Sequence, residues 1–256
     1  MNEKSELIDS IIGYLTHAGR LIMEVYNAGE NASQVEFKPD NSPLTLADKR
    51  SHDFLTGRLN QLDSSIPVMS EESEETAYAV RKDWKRYWCL DPLDGTKEFI
   101  KRNGQFTINL ALIENAMPVL GFIHVPITGQ TYWAKKQQGA YLHDSKESSL
   151  IRVNSKSSDW IAVGSSSHGS EAEVDWMKQF PVTSNIKVGS ALKFGYIASG
   201  LADVYYRSGP TMEWDTSAGH LIVEEAGATF SYMSDNEIHY NKPSLLNPSF
   251  CVRIPL

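Results

Sequence analysis

The chain has 256 residues, 41% of them hydrophobic, and a formal net charge of −8. This length supports one large domain or two intimately packed halves, and the acidic balance argues against a nonspecific nucleic-acid or membrane-binding surface. No uninterrupted apolar run reaches ~18 residues, so no transmembrane helix is predicted.

The polar, acidic start Met1-Asn2-Glu3-Lys4-Ser5-Glu6 argues against a signal peptide. Only Cys89 and Cys251 are present, at no metal-like spacing, which fits a reducing cytoplasm. Leu7, Ile8, Ile11, Ile12, Leu15, Ala18, Leu21, Ile22 and Val25 recur at helical spacing and predict an amphipathic first helix. Residues 37–43, with two prolines, read as a loop. A second helix is expected over 45–62 with Leu46, Phe54, Leu55 and Leu59 inward. Asp48 falls in its first turn, where a carboxylate suits the helix dipole.

Val68-Met69-Ser70 begins a short strand that runs into the acidic pair Glu71-Glu72. Tyr87-Trp88-Cys89-Leu90 reads as a buried strand, with Cys89 a packed small residue rather than a nucleophile. Pro92 has no N–H and is expected to stop the ladder just past Asp91. Asp91-Pro92-Leu93-Asp94-Gly95-Thr96 then sets two carboxylates three residues apart, followed by a glycine and a hydroxyl. Such carboxylates suit Mg²⁺, which takes few protein oxygens and keeps sites for water and phosphate. Gly95 and Thr96 offer N–H groups and a hydroxyl to a phosphate if a helix starts there. The same residues also make an ordinary turn for local backbone reasons.

Strands are expected over 106–114, 118–125 and 131–135, with Asn115-Ala116-Met117 as a hairpin link. Residues 139–142 read as an edge strand and 144–149 as a polar surface loop. Beyond it, strands over 161–165, 185–188 and 202–206 alternate with helices over 171–179 and 190–199, a pattern of α/β structure. Asp215 precedes a helix-like stretch, where an N-cap role is open to it. Short strands are expected near 229–230 and 250–253.

The acidic pair Glu71-Glu72, the turn Asp91–Thr96 and Trp214-Asp215-Thr216-Ser217-Ala218-Gly219 occur in the order and at about the spacing of motifs of the inositol monophosphatase superfamily. The chain resembles that family of Mg²⁺-dependent, lithium-sensitive phosphatases. Gly95-Thr96-Lys97-Glu98-Phe99-Ile100, Gly189-Ser190-Ala191-Leu192-Lys193-Phe194 and Asn41-Ser42-Pro43-Leu44-Thr45-Leu46-Ala47-Asp48 look like its CysQ-type branch, the 3′(2′),5′-bisphosphate nucleotidases. Lys97-Glu98 is the pair that sets this branch apart, and the likeness runs from the first helix to Asn247-Pro248.

The resemblance implies a layered αβαβα sandwich, α+β over residues 1–150 and α/β over 151–256. The first half would carry most metal ligands, and the second would supply Asp215 and the nucleotide contacts. It implies two or three Mg²⁺ ions held by Glu71, Asp91, the Leu93 carbonyl, Asp94 and Asp215, with Glu72 in support. Asp48 and Thr96 would orient and deprotonate the attacking water, which Glu71 helps to shape. The implied reaction is hydrolysis of the 3′-phosphate of 3′-phosphoadenosine 5′-phosphate (PAP), or of its sulfated precursor, with an inositol or sugar monophosphatase as the alternative. A non-catalytic nucleotide-binding protein is the reading outside catalysis.

Glu71, Leu93, Asp94, Gly95, Thr96 and Asp215 would meet the substrate phosphate. Ser190, Lys193, Arg207 and His168 are candidates for the second anion. Lys193 and Arg207 also admit a reading as solvated surface charges, Arg207 more readily than Lys193, His168 one as a structural residue, and Tyr205 and Tyr206 one as packing rather than base-stacking groups. The partner is then a small-molecule nucleotide and not a nucleic acid, with the chain a monomer or homodimer. The location is cytoplasmic, with room for a peripheral position on the inner membrane.

Overall fold

The computed structural model describes residues 3–28, 36–37, 43–165, 171–234 and 237–256. His168, Asn41 and Ser42 lie outside them. In helix α1 (Glu3–Asn27), Ile11, Leu15, Ala18 and Ile22 form one fully buried stripe. Strands β1 (Glu36–Phe37) and β2 (Pro43–Leu44) make a small antiparallel ladder at the two ends of the segment expected to be loop, whose residues 38–42 lie outside the described residues. Helix α2 (Leu46–Leu62) follows, capped by Thr45 with Asp48 at its third position completing the capping box. Ala47, Ser51, Leu55 and Leu59 line its buried face. Leu46, expected inward, is exposed because it shares a face with the exposed Arg50, Asp53 and Gly57.

Strand β3 (Val68–Ser70) and the short helix α3 (Tyr78–Arg81) lead to strand β4 (Arg86–Asp94). Pro92 does not end β4. Asp91 pairs with Asn109 and Asp94 with Thr107, so the strand gains one residue there as a β-bulge. A bulge leaves a residue outside the ladder, which is how a strand tolerates proline. Helix α4 (Thr96–Ile100) starts straight after Gly95, whose φ of 88° favours glycine.

Strands β5 (Thr107–Glu114), β6 (Met117–Val125), β7 (Gln130–Lys135), β8 (Ala140–Asp144) and β9 (Glu147–Ile151) complete a seven-stranded sheet in the order β3-β4-β5-β6-β7-β8-β9. Only the β3–β4 pair is parallel. Asn115 and Ala116, both at positive φ, make the β5–β6 turn. Met117, expected in that link, already pairs with Glu114. Residues 144–149 are not a loop but a hairpin, so β9 is the edge and β8 lies inside it. Four of the five β9 side chains are exposed, so no apolar alternation marks it.

Strand β10 (Trp160–Ser165), helix α5 (Glu171–Met177), strand β11 (Val182–Val188), helix α6 (Leu192–Ala198), strand β12 (Val204–Arg207), helix α7 (Glu213–Glu225), strand β13 (Thr229–Tyr232) and strand β14 (Phe250–Arg253) follow. They build a five-stranded mixed sheet, β11-β10-β12-β14-β13. Helix α6 begins later than expected because Ser190 sits at φ 49°, outside helical space.

The layers follow from which side of each strand is apolar. Trp88, Leu90, Leu110 and Phe122 point from the large sheet into a core shared with α1 and α2. Tyr87, Cys89, Ala111 and Ile123 point the other way, against α6, α7 and the inner face of the small sheet. Trp160, Ala162 and Val204 close a third core with Met177 of α5. The result is an αβαβα sandwich. Helix α7 packs so tightly on β6 that a Cβ on Gly121 would lie 2.7 Å from the Ala218 carbonyl oxygen.

Candidate active site

The β4 bulge, the start of α4 and the start of α7 meet at one place between the two sheets. Asp91 is 1% exposed on the bulge, and its Oδ1 accepts from the Leu93 N–H at 3.0 Å. Ser51 of α2 donates to the Pro92 carbonyl at 2.7 Å, which fixes the bulge from the other side. Glu71, Asp91 and Asp215 each bring a carboxylate oxygen within 4.8 Å of the other two. Burial, with Glu71, Asp94 and Asp215 nearby, holds the Asp91 carboxyl well above the usual carboxylate range. Burial and the charges of Asp94 and Glu71 do the same to Asp215.

Asp215 is not an N-cap. It is the third residue of α7, and its Oδ2 accepts from the Met212 N–H at 2.7 Å. Asp94 stands apart from the trio because three groups hold its Oδ2: the Ala191 N–H at 2.5 Å, Asn109 Nδ2 at 3.1 Å and Thr107 Oγ1 at 3.4 Å. Burial raises the Asp94 pKa, against the opposing pull of Lys193 and these hydrogen bonds.

Asp48 and Thr96, which the family resemblance paired, lie within hydrogen-bond reach. Thr96 Oγ1 donates to Asp48 Oδ1 at 3.2 Å and lies 3.4 Å from the Leu93 carbonyl. Asp48 Oδ2 accepts from the Thr45 N–H at 2.8 Å and from the Thr45 hydroxyl. Burial lifts the Asp48 carboxyl, opposed by hydrogen bonds from Thr45 and Thr96.

Glu71, Asp94, Gly95, Thr96, Ser190, Lys193, Arg207 and Asp215 line one cavity of about 230 Å³. Lys193 is therefore no surface charge. It is 6% exposed and donates to the Val188 and Ser190 carbonyls at 3.2 and 2.6 Å. Burial pushes its pKa down to about 8, with Asp94 pulling the other way. Arg207 donates from Nη2 to the Pro210 carbonyl at 3.3 Å, while its buried Nε has no hydrogen-bond partner. Next to the candidate Ser190, the Ala191 N–H is already engaged, since it donates to Asp94. Tyr205 packs edge-on against Phe194 and Phe250, and Tyr206 stacks on Trp176.

Asp91 Oδ2 is buried and has no hydrogen-bond partner. A bare carboxylate oxygen among acidic neighbours fits a hard divalent cation, which takes oxygen ligands and cancels the repulsion. Residues 3–252 match the model of the inositol monophosphatase family. The chain belongs to that family.

Among its relatives, the 3′(2′),5′-bisphosphate nucleotidase CysQ of Shigella flexneri is 39% identical over 249 residues, covering 97% of this chain and 100% of that protein. The Escherichia coli K12 protein of the same name is 38% identical over the same shares. The crystal structure of Bacteroides thetaiotaomicron CysQ superposes with a TM-score of 0.81 at 39% identity, covering 94% of each chain. An IMPase of Thermotoga maritima shares the fold, with a TM-score of 0.79 at 24% identity over 97% of this chain and 92% of that one.

In this inositol monophosphatase family member, several supporting residues escape the sequence reading. Thr107 and Asn109, which orient Asp94, were legible in principle as two polar residues at the head of strand β5, which is otherwise apolar up to its terminal Glu114. Arg81, fully buried, and Glu213, which accepts from Lys242 Nζ at 2.7 Å, had no local signal at all.

Proposed function

We propose that this chain is a Mg²⁺-dependent phosphomonoesterase that removes the 3′-phosphate of PAP, giving AMP and phosphate. The names of its closely similar relatives support the substrate class. One observation carries the reading: the cavity walled by Glu71, Asp94 and Asp215 also contains the cations of Lys193 and Arg207. A bisphosphorylated nucleotide needs two anion sites of different kinds, and a metal-binding wall facing fixed basic groups supplies both.

Two or three Mg²⁺ ions, held by Glu71, Asp91, Asp94, Asp215 and the Leu93 carbonyl, would polarise the phosphate and acidify water. Thr96, tethered to Asp48, positions the attacking water, and Asp48 receives its proton. Burial raises the basicity of Asp48, which suits that task. Gly95 and Thr96 face the phosphate where α4 begins. An ammonium carries three donors, so Lys193, bonded to two carbonyls, has a third for the nucleotide. Arg207 brings its unpartnered Nε–H to the second anion.

The test is chromatographic resolution of the products of PAP, with Mg²⁺ and with excess chelator. AMP formed only with Mg²⁺ is the expected result. Release of the 5′-phosphate, leaving adenosine 3′-phosphate, or turnover that survives chelation would refute it. We also propose a cytoplasmic location, which the two buried free thiols, Cys89 and Cys251, support.

A further inference from the structure

Glu71 and Asp215 sit on separate pieces of chain, the turn after β3 and the first turn of α7, and both carboxylates face Asp91. Without a cation their like charges push these two pieces apart. A fully buried arginine joins them. Arg81 Nε donates to the Thr76 carbonyl at 3.2 Å, on the segment that follows Glu71. Its Nη1 donates to Asn241 Oδ1 at 2.9 Å and the Lys242 carbonyl at 2.6 Å, and its Nη2 to the Pro243 carbonyl at 3.0 Å.

The residues Arg81 grips are bonded in turn to the start of α7. Glu213, two positions before Asp215, accepts from the Asn241 N–H at 2.7 Å and the Lys242 N–H at 2.9 Å, and pairs with Lys242 Nζ at 2.7 Å. Asn241 returns a bond from Nδ2 to the Arg81 carbonyl and holds φ 65°, a conformation that asparagine tolerates. The segment from Asn241 to Lys242 is thus clamped between a buried guanidinium and a buried carboxylate.

We propose that Arg81 is a positioning residue for the metal centre, holding the Glu71 and Asp215 carriers at ligand spacing before any cation arrives. The inference rests on the metal-site reading above. The planar fork of arginine makes four of these bonds in fixed directions, which a lysine ammonium cannot reproduce. Its role is pre-organisation, since a site already assembled binds without the cost of gathering its ligands.

The probe is Mn²⁺ alone, titrated into the metal-free protein and followed by the EPR signal of the free ion, with Mg²⁺ as competitor. Arg81→Lys and, through the other jaw of the clamp, Glu213→Gln should each weaken Mn²⁺ binding at least tenfold with an unchanged circular dichroism spectrum. Saturating metal should restore most of the turnover. A dissociation constant within twofold of wild type in either folded variant overturns the proposal, even if Tm has fallen, because that pattern belongs to a purely structural residue.

If neither variant folds, amide exchange of Asn241 and Lys242 in the wild type decides. Slower exchange with Mg²⁺ supports the coupling, and unchanged exchange overturns it. No substrate enters the Mn²⁺-binding or amide-exchange measurements. A wild type that binds Mn²⁺ yet leaves PAP intact therefore refutes the proposed activity and spares this inference, whereas a wild type that takes up no Mn²⁺ overturns both.

Discussion

Changing Asp91 to Asn should make the metal-free protein more stable while removing its activity. The wild-type carboxylate is 1% exposed, its Oδ2 accepts no hydrogen bond, and Glu71 and Asp215 bring oxygens within 4.8 Å. An unsatisfied buried acceptor costs roughly 1–3 kcal/mol, more when charged. The amide keeps the side-chain volume, cancels the charge and turns an N–H₂ donor toward two acceptors. A gain of about 1–2 kcal/mol follows, or a rise in Tm of roughly 2–8 °C for a chain of this size.

Metal reverses the order. Wild type gains stability from a bound cation in proportion to the logarithm of its concentration over Kd, and the variant should lose most of that gain with the proposed Asp91 ligand. Several kcal/mol of Lewis-acid stabilisation are lost with it, and about 4 kcal/mol corresponds to about a thousandfold in kcat/KM. Thermal unfolding with chelator and with Mg²⁺, beside phosphate release, measures all three quantities. A variant less stable than wild type under chelation, or one whose Tm rises with Mg²⁺ as steeply as wild type, would refute the reasoning.

His124 gives a pH prediction. It is buried beneath Gly19, and burial lowers its pKa to about 4 from an ordinary 6.5. The unfolded chain takes up a proton there that the native state refuses. Stability is therefore full above 6.5 and is lost as pH falls toward 4, by about 3 kcal/mol from this group. His124→Gln should flatten that part of the stability–pH curve in urea unfolding, and an unchanged slope would count against it. Lys193, with its pKa near 8, should lose its charge as pH rises through that value, so KM for PAP should climb above pH 8. Lys193→Arg should shift the climb to higher pH, while Lys193→Ala should erode nucleotide selectivity more than metal dependence. Gly121→Ala should cost about 1–3 kcal/mol by overpacking, because its Cβ would meet backbone rather than a movable side chain. Chemical denaturation at neutral pH measures this, and a loss below 0.5 kcal/mol, about the scatter expected of a neutral substitution, would contradict the packing.

What the sequence discloses here is local chemistry. The Asp91 turn and the Thr96 helix start depend on short motifs whose residue types state their use, whereas the pairing of Asp48 with Thr96, 48 positions apart, came only from the family resemblance. Pro92 does not break the strand because a missing N–H ends a ladder only where that position must enter it, and the bulge removes it from the ladder. Strand β9 carried no apolar alternation because its side chains face water, and its pairing with β8 is made by backbone. The immobilisation of Asp94 depends in part on a residue 97 positions away, since its carboxylate accepts from the Ala191 N–H, and the burial of Lys193 is likewise set by tertiary packing. Arg81 is the extreme case, an ordinary-looking charge in a helix of four residues that proves fully enclosed.

The central claim is that this metal centre serves a nucleotide with two phosphates. Phosphate release from PAP and from inositol 1-phosphate, compared as kcat/KM in the same Mg²⁺ buffer, tests it most directly. A strong preference for PAP that collapses in the Arg207→Ala variant is the predicted result. A preference for inositol 1-phosphate would keep the fold and the carboxylate site but contradict the substrate assigned to it.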